Sequence, residues 1–194
     1  MKVLAGPRLD LAPTGPAARL CRQLAGDGGE VVSLAALGVR NPYRSLSAAE
    51  VGALRGALRG ETGVVGYVCL GVVPGGDGRE ALPGNGGGLV AVTDHVNLTW
   101  RSPLTGPNDE TVGPRFPSMD GAYAPDAILR PGTGEDGMIV ACGVVAGVPD
   151  DRTLSEYETE AVARFGWAAA SSELVAPVIL AVHMGLRVAA VVMV

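Results

Sequence analysis

Valine-rich apolar runs of strand length recur along the chain, at Val31 to Val39, Val64 to Val73, Leu89 to Leu98, Met138 to Val145 and Arg187 to Val194. They are apolar at successive rather than alternate positions, so strands made from them have both faces buried and need cover on both sides of a sheet. The covering helices announce themselves by their caps. Ser47-Ala-Ala-Glu50 opens a segment running to Arg59, and Ser155-Glu-Tyr-Glu158 opens another ending near Phe165-Gly166. In each, a Ser three residues before a Glu satisfies first-turn amides that the helix itself leaves unpaired. A third helix is expected from Leu174 to Met184, with Gly185 where a left-handed residue is needed. The alternation specifies an α/β protein whose mixed, mostly parallel sheet is flanked by helices.

Of the 194 residues, 47% are hydrophobic and 18% charged, which provides core for a single domain spanning 1–194. The 29 glycines and 14 prolines stay under the proportion that marks low complexity. Net charge is −5 with neither sign clustered, so the basic footprint of a nucleic-acid partner is missing. Cys21, Cys69 and Cys142 are far apart and show no paired spacing; they read as reduced core residues of a cytoplasmic protein. No secretory-type apolar stretch precedes Arg8 and Asp10. The apolar stretch from Leu174 to Val194 is interrupted by Pro177, His183 and Arg187, so it reads as a buried helix and strand and no membrane partner is expected. Two histidines among scattered carboxylates offer no metal-ligand spacing, and neither a metal nor another cofactor is expected.

Two segments have no period, Pro74 to Gly88 and Trp100 to Asp136. Gly84-Asn-Gly-Gly-Gly88 in the first is followed by a strand and by no Gly-Lys-Ser or Gly-Lys-Thr, so it reads as a plain connection and not a phosphate cradle. The second is where aperiodic segments of this length tend to carry function. Val92-Thr-Asp-His-Val-Asn-Leu98, Pro103-Leu-Thr-Gly-Pro-Asn-Asp-Glu110, Gly113-Pro-Arg-Phe-Pro-Ser-Met119 and Ala122-Tyr123 follow one another in order. Together they resemble the trimeric purine nucleoside phosphorylases, a family that includes the methylthioadenosine phosphorylases. Ala176-Pro-Val-Ile-Leu-Ala-Val-His183-Met-Gly-Leu-Arg-Val188 resembles the helix and strand near the end of that family's sheet. Gly15 to Arg44 and Val64 to Gly76 lie more loosely on its earlier strands. The resemblance implies a shortened nucleoside-phosphorylase fold, a small-molecule ligand and a homotrimer.

Measured against that family, the chain departs at the positions that carry the chemistry. The N-terminal Gly-Ser-Gly phosphate loop has no counterpart. Around the family's Gly-Arg-x-His string the chain reads Gly38-Val-Arg-Asn-Pro-Tyr43, which keeps Arg40 but no His. Counting back from His183 without gaps lays Ser171-Ser172-Glu173-Leu174 under Gly-Met-Ser-Thr, so Glu173 stands where the resemblance puts a phosphate-binding hydroxyl. Like charges in contact repel by about 1–4 kcal/mol depending on screening, which argues against a bound phosphate dianion. For the base-binding Glu of a Phe-Glu-Thr string, ungapped counting gives Leu154 and keeps Ser155 as the helix cap; sliding Tyr157-Glu158-Thr159 onto it needs a deletion inside a helix. The family's base-binding Asn has no counterpart before Val194.

Glu173 is therefore the candidate catalytic residue. At the start of a helix, burial would raise its pKa and suit it to proton transfer, while a capping role is the alternative. Phe116 matches an aromatic that in the family reaches into a neighbouring subunit's sugar pocket. Tyr43, Arg40, Ser172, Leu154 and Tyr157 complete the candidate substrate-binding set. Asp94-His95 is open to a dyad reading or a structural one, His183 reads as a packed core residue, and Asp109-Glu110 read as anchors of the long loop. The expected function is a phosphate-independent small-molecule reaction such as hydrolysis or cyclisation, in a biosynthetic setting. The alternatives are a non-catalytic binding or assembly protein of the same fold, and an ordinary nucleoside phosphorylase.

Overall fold

The computed structural model describes residues 1–39, 46–73, 88–128 and 140–194. In chain order the elements are β1 (Val3–Ala5), α1 (Pro16–Ala25), β2 (Val31–Ser33), α2 (Ala48–Leu58), β3 (Val64–Leu70), β4 (Leu89–Asn97), β5 (Val140–Gly147), α3 (Glu156–Arg164), β6 (Ala169–Ser171), α4 (Val175–His183) and β7 (Arg187–Met193). Both serine caps form as the sequence requires. Ser47 Oγ accepts from Glu50 N at 3.3 Å while Ser47 N donates to Glu50 Oε2 at 2.8 Å, and Ser155 with Glu158 repeats the exchange at 3.2 and 2.8 Å.

The strands build one sheet in the order β2-β1-β3-β7-β4-β5-β6. Neighbours are parallel except at the β4–β7 junction, where the direction reverses. The chain leaving β3 meets the far edge strand: Val72 and Ala170 exchange both backbone hydrogen bonds at 2.9 Å. The sheet therefore curls on itself, and the ends of β3 and β6 come together. Gly71 permits this approach, since a Cβ there would stand 2.5 Å from the Ala170 carbonyl oxygen.

Apolar side chains fill both faces, as the unbroken valine runs require. One face packs Leu4, Leu54, Leu58, Tyr67, Val178 and Leu180 under α2 and α4; the other packs Val3, Leu20, Cys21, Val68 and Val191 under α1. A smaller cluster of Ala146, Val148, Val162 and Ala170 lies beneath α3.

Three expectations are corrected. The run from Val31 to Val39 is a strand only to Ser33, because Leu34 to Gly38 turn, with Gly38 at φ +85°. The elements β1, α1 and β6 appear where no period was read. Cys142 is exposed, unlike Cys21 and Cys69, because β6 pairs with β5 only from Val145 onward and leaves the earlier half of β5 without that neighbour. The sequence segment from Pro74 to Gly88 lies outside the described residues except for Gly88 itself, as do 129–139 of the longer aperiodic segment. Among the described residues no helix is long and apolar enough to cross a membrane.

Candidate functional site

Where the curled sheet brings the ends of β1, β3 and β6 together, three charged side chains meet. Gly6 and Pro7 lead out of β1 and deliver Arg8. Its Nε donates to Glu173 Oε1 at 2.6 Å, and its Nη1 and Nη2 donate to Asp151 Oδ1 and Oδ2 at 2.9 and 2.7 Å. Nη2 also reaches the Leu70 carbonyl at 3.3 Å. The two-pronged grip on Asp151 matches the planar fork of a guanidinium to a carboxylate. Glu173 is 1% exposed and Asp151 3%, so both carboxylates rely on Arg8 and not on water.

Glu173 sits two residues before α4, held from several directions. Its Oε2 accepts from Leu70 N at 3.2 Å, its backbone N–H donates to Ser171 Oγ at 3.2 Å, and its carbonyl accepts from Tyr67 Oη at 2.8 Å. Gly6 makes room for the carboxylate, since a Cβ there would lie 2.6 Å from Glu173 Oε2. Burial pushes the Glu173 carboxyl above its usual range, against the pull of Arg8.

Beneath the carboxylates lies a second polar layer. Ser171 Oγ donates to the Leu70 carbonyl at 2.6 Å and accepts from Glu173 N, so its one proton is committed. Cys69 Sγ, 3.7 Å from that oxygen, is then the donor of the pair. Burial pushes the Cys69 thiol up, which keeps the proton it donates. Ser172 Oγ donates to Asp151 Oδ1 at 3.2 Å. An anion arriving here meets two carboxylates already bonded to the one guanidinium of the cluster.

Of the candidates read from sequence, Glu173 and Ser172 share this cluster. Leu154 is half-buried and packs on the Val148–Val162 cluster under α3. Phe116 and Tyr157 are 86% and 74% exposed, away from the cluster; Phe116 carries the Arg115 guanidinium 5.8 Å from its ring centre. Arg40 and Tyr43 lie outside the described residues. Arg8 and Asp151 were not singled out from sequence. Their local signals are an arginine three residues past an apolar strand and an acidic pair, Asp150-Asp151, starting three residues past another.

The Asp94-His95 pair forms no side-chain dyad, because Asp94 Oδ1 accepts the His95 backbone N–H at 2.8 Å while His95 Nδ1 faces Tyr123 Oη at 2.8 Å. Asp109 anchors its own loop by accepting from Thr111 N and Oγ1 at 3.1 and 2.6 Å. The amide of Asn108 donates to Gly113 O at 3.1 Å, leaving its oxygen to accept from His183 Nε2 at 3.2 Å. His183 is thus the Nε2–H tautomer, and burial holds its pKa below the ordinary 6.5. Among the described residues no group of three or more His, Cys, Asp and Glu side chains is placed to hold a metal ion.

Residues 85–194 match the sequence profile of the phosphorylase superfamily. The chain belongs to the phosphorylase superfamily. Relatives within it include purine nucleoside phosphorylase 1 of Bacillus subtilis, 38% identical over 107 residues, and the mouse purine nucleoside phosphorylase, 35% identical over 109. Each match takes in 53% of this chain but only 38% of the relative, so under half of either relative's length is matched. Among solved structures, isoform 2 of the Schistosoma mansoni purine nucleoside phosphorylase, in complex with cytosine and ribose-1-phosphate, superposes with a TM-score of 0.71. That superposition covers 98% of this chain and 74% of the other at 21% identity. The Schistosoma enzyme in complex with hypoxanthine gives 0.70 over 99% and 75%. The phosphorylase-superfamily sheet, mixed and mostly parallel with flanking helices, is thus the fold of this chain.

Proposed function

We propose that this phosphorylase-superfamily chain works without phosphate, on a small molecule whose site has a carboxylate where phosphate would act as nucleophile. One observation carries the reading: the Arg8 guanidinium is taken up by Glu173 and Asp151 within the chain, at 2.6 to 2.9 Å. The sequence resemblance puts Glu173 at a phosphate-binding position, and a group standing there is placed to activate water in phosphate's stead. In that step Glu173 takes a proton from water, the water oxygen bonds to the electrophilic carbon, and the leaving group departs with its bonding electrons. The raised pKa of Glu173 brings its basicity toward the neutral range where such transfer is efficient.

Release of base from inosine and from methylthioadenosine, followed with and without phosphate, tests this. The expected result is release that ignores phosphate and is lost in Glu173→Gln. Phosphate-dependent release overturns the reading. A second reading, a binding or assembly protein without catalysis, is favoured by the closure of the cluster: Glu173 is 1% exposed, with Oε1 on Arg8 and Oε2 on Leu70 N. No turnover of either nucleoside under either condition supports that second reading against the first.

A further inference from the structure

Away from the Arg8 cluster and sharing no lining residue with it, α2 sets Arg55 between two cavities. The larger, about 440 Å³, is lined by Arg55, Arg59, Glu61, Asp109 and Met184 among others. The smaller, about 310 Å³, is lined chiefly by Leu46, Val51, Arg55, Leu104, Pro107 and Asn108. Arg55 belongs to both. Its Nε–H is buried with no hydrogen-bond acceptor, a state that costs free energy and calls for a partner. Glu61 is engaged with Lys2 Nζ at 3.2 Å, and Asp109 feels the Arg55 charge but spends its hydrogen bonds on Thr111 and makes none to the guanidinium.

Charge and shape define the partner. Arg55 is the charged residue among the described lining of the smaller cavity, where Leu46, Val51 and Leu104 supply apolar wall beside the polar Thr105 and Asn108. The larger cavity sets Arg55 and Arg59 against Glu61 and Asp109, which repel a second negative charge. The Asn108 wall of the smaller cavity is fixed, because its amide is bonded to Gly113 O and to His183 Nε2. A guanidinium with a free edge pairs with a planar carboxylate through two parallel bonds.

We propose that this cleft binds a small organic monocarboxylate, its carboxylate on the Arg55 guanidinium and its apolar body between Val51 and Leu104. The volume of the smaller cavity sits at the low end of the range for small-molecule sites, so the ligand is of the size of an aryl or short-chain acid.

Nitrogen-edited NMR of the arginine Nε–H groups tests the assignment, with phenylacetate, phenylacetamide and inorganic phosphate as probes. Phenylacetate should shift one arginine resonance saturably, that resonance being absent from Arg55→Gln, while phenylacetamide should not shift it. Backbone amide shifts around α2 should report affinity weaker by about tenfold or more in Arg55→Gln, the equivalent of one charge-assisted hydrogen bond. Gly52 lines both cavities, and a Cβ there meets nothing within 4 Å, so Gly52→Leu fills the cleft while sparing the fold and should abolish the shift. No saturable shift in the wild type overturns the proposal. So does a shift that persists in Gly52→Leu, or a stronger response to phosphate than to phenylacetate.

Discussion

Replacing Arg8 with Met keeps the length of the side chain and removes the group that holds Asp151 and Glu173. The loss includes four hydrogen bonds among the described residues, three of them to carboxylates whose side chains are fully buried. Breaking a buried ion pair by deleting one partner costs about 3–5 kcal/mol, because the other charge is left uncompensated. A domain of this kind holds about 5–15 kcal/mol in total, and for chains of 150–250 residues each kcal/mol moves the melting temperature by about 2–4 °C. Arg8→Met should therefore melt about 6–20 °C lower near neutral pH.

The loss has a pH signature. In the wild type the Glu173 carboxyl already sits above its ordinary 4.5, so its contribution to stability is fullest below 4.5 and declines as pH rises through its folded pKa. Taking Arg8 away removes the cation that pulls that pKa down and lifts it further. The gap between wild type and variant should then be widest near neutral pH and narrow as pH falls toward the ordinary 4.5. Urea unfolding followed by far-ultraviolet circular dichroism at both pH values measures it. A loss below about 1 kcal/mol at neutral pH, or an equal loss at both, refutes the account of the cluster as mutually dependent buried charges.

Gly6→Ala puts a methyl 2.6 Å from Glu173 Oε2 and 3.1 Å from Cys69 Cα, and chemical denaturation should show a loss of about 1–3 kcal/mol. Gly56→Ala, in the interior of α2 where a Cβ meets nothing within 4 Å, should instead raise stability by about 0.5–1 kcal/mol in the same assay. Burial holds His95 and His183 below their ordinary 6.5, so the stability they contribute is present above 6.5 and is lost as pH falls through their folded pKa values. His95→Gln should flatten that acid limb in a pH series of unfolding midpoints. Trp100 and Phe116 are 90% and 86% exposed, and we expect them to be covered by a second copy. Sedimentation equilibrium should give three times the 19.6 kDa chain mass, and a monomer would end that expectation.

Legibility from sequence followed the physics of each element. The capped helices α2 and α3 could be placed because Ser47 with Glu50 and Ser155 with Glu158 are local signals, complete within four residues. The long strands β3 and β7 were readable because burial on both faces leaves an unbroken apolar run, and β4 because it opens on one, Leu89 to Val92. Three-residue strands such as β1 and β6 are too short to display any period. Helix α1 begins at Pro16 behind Gly15, which offers no side-chain cap, and its signals were Pro16 at the first turn and Gly26 after the last. Glu173 stood out because it breaks a recognisable string. Arg8 could not be found in the same way: it lies 165 residues from Glu173 and 143 from Asp151, and only the curl of the sheet makes them neighbours. The exposure of Cys142 was hidden for a related reason, since it depends on how short β6 is.

The place of β7 in the sheet also governs how the chain is assembled as it is made. On one side of β7 stand β2, β1 and β3, and on the other β4, β5 and β6; the ladder between the two sets passes through residues 187–193, with the Val72–Ala170 bridge as the other link. During synthesis both half-sheets emerge before the strand that joins them. Each then waits with an open edge, β3 on one and β4 on the other, rich in valine and ready to pair with whatever strand arrives. Because β7 is added after both halves exist, closure of the sheet is a late, long-range event of the slow kind that high contact order imposes. Until it happens, the nascent chain is most exposed to pairing with another copy of itself.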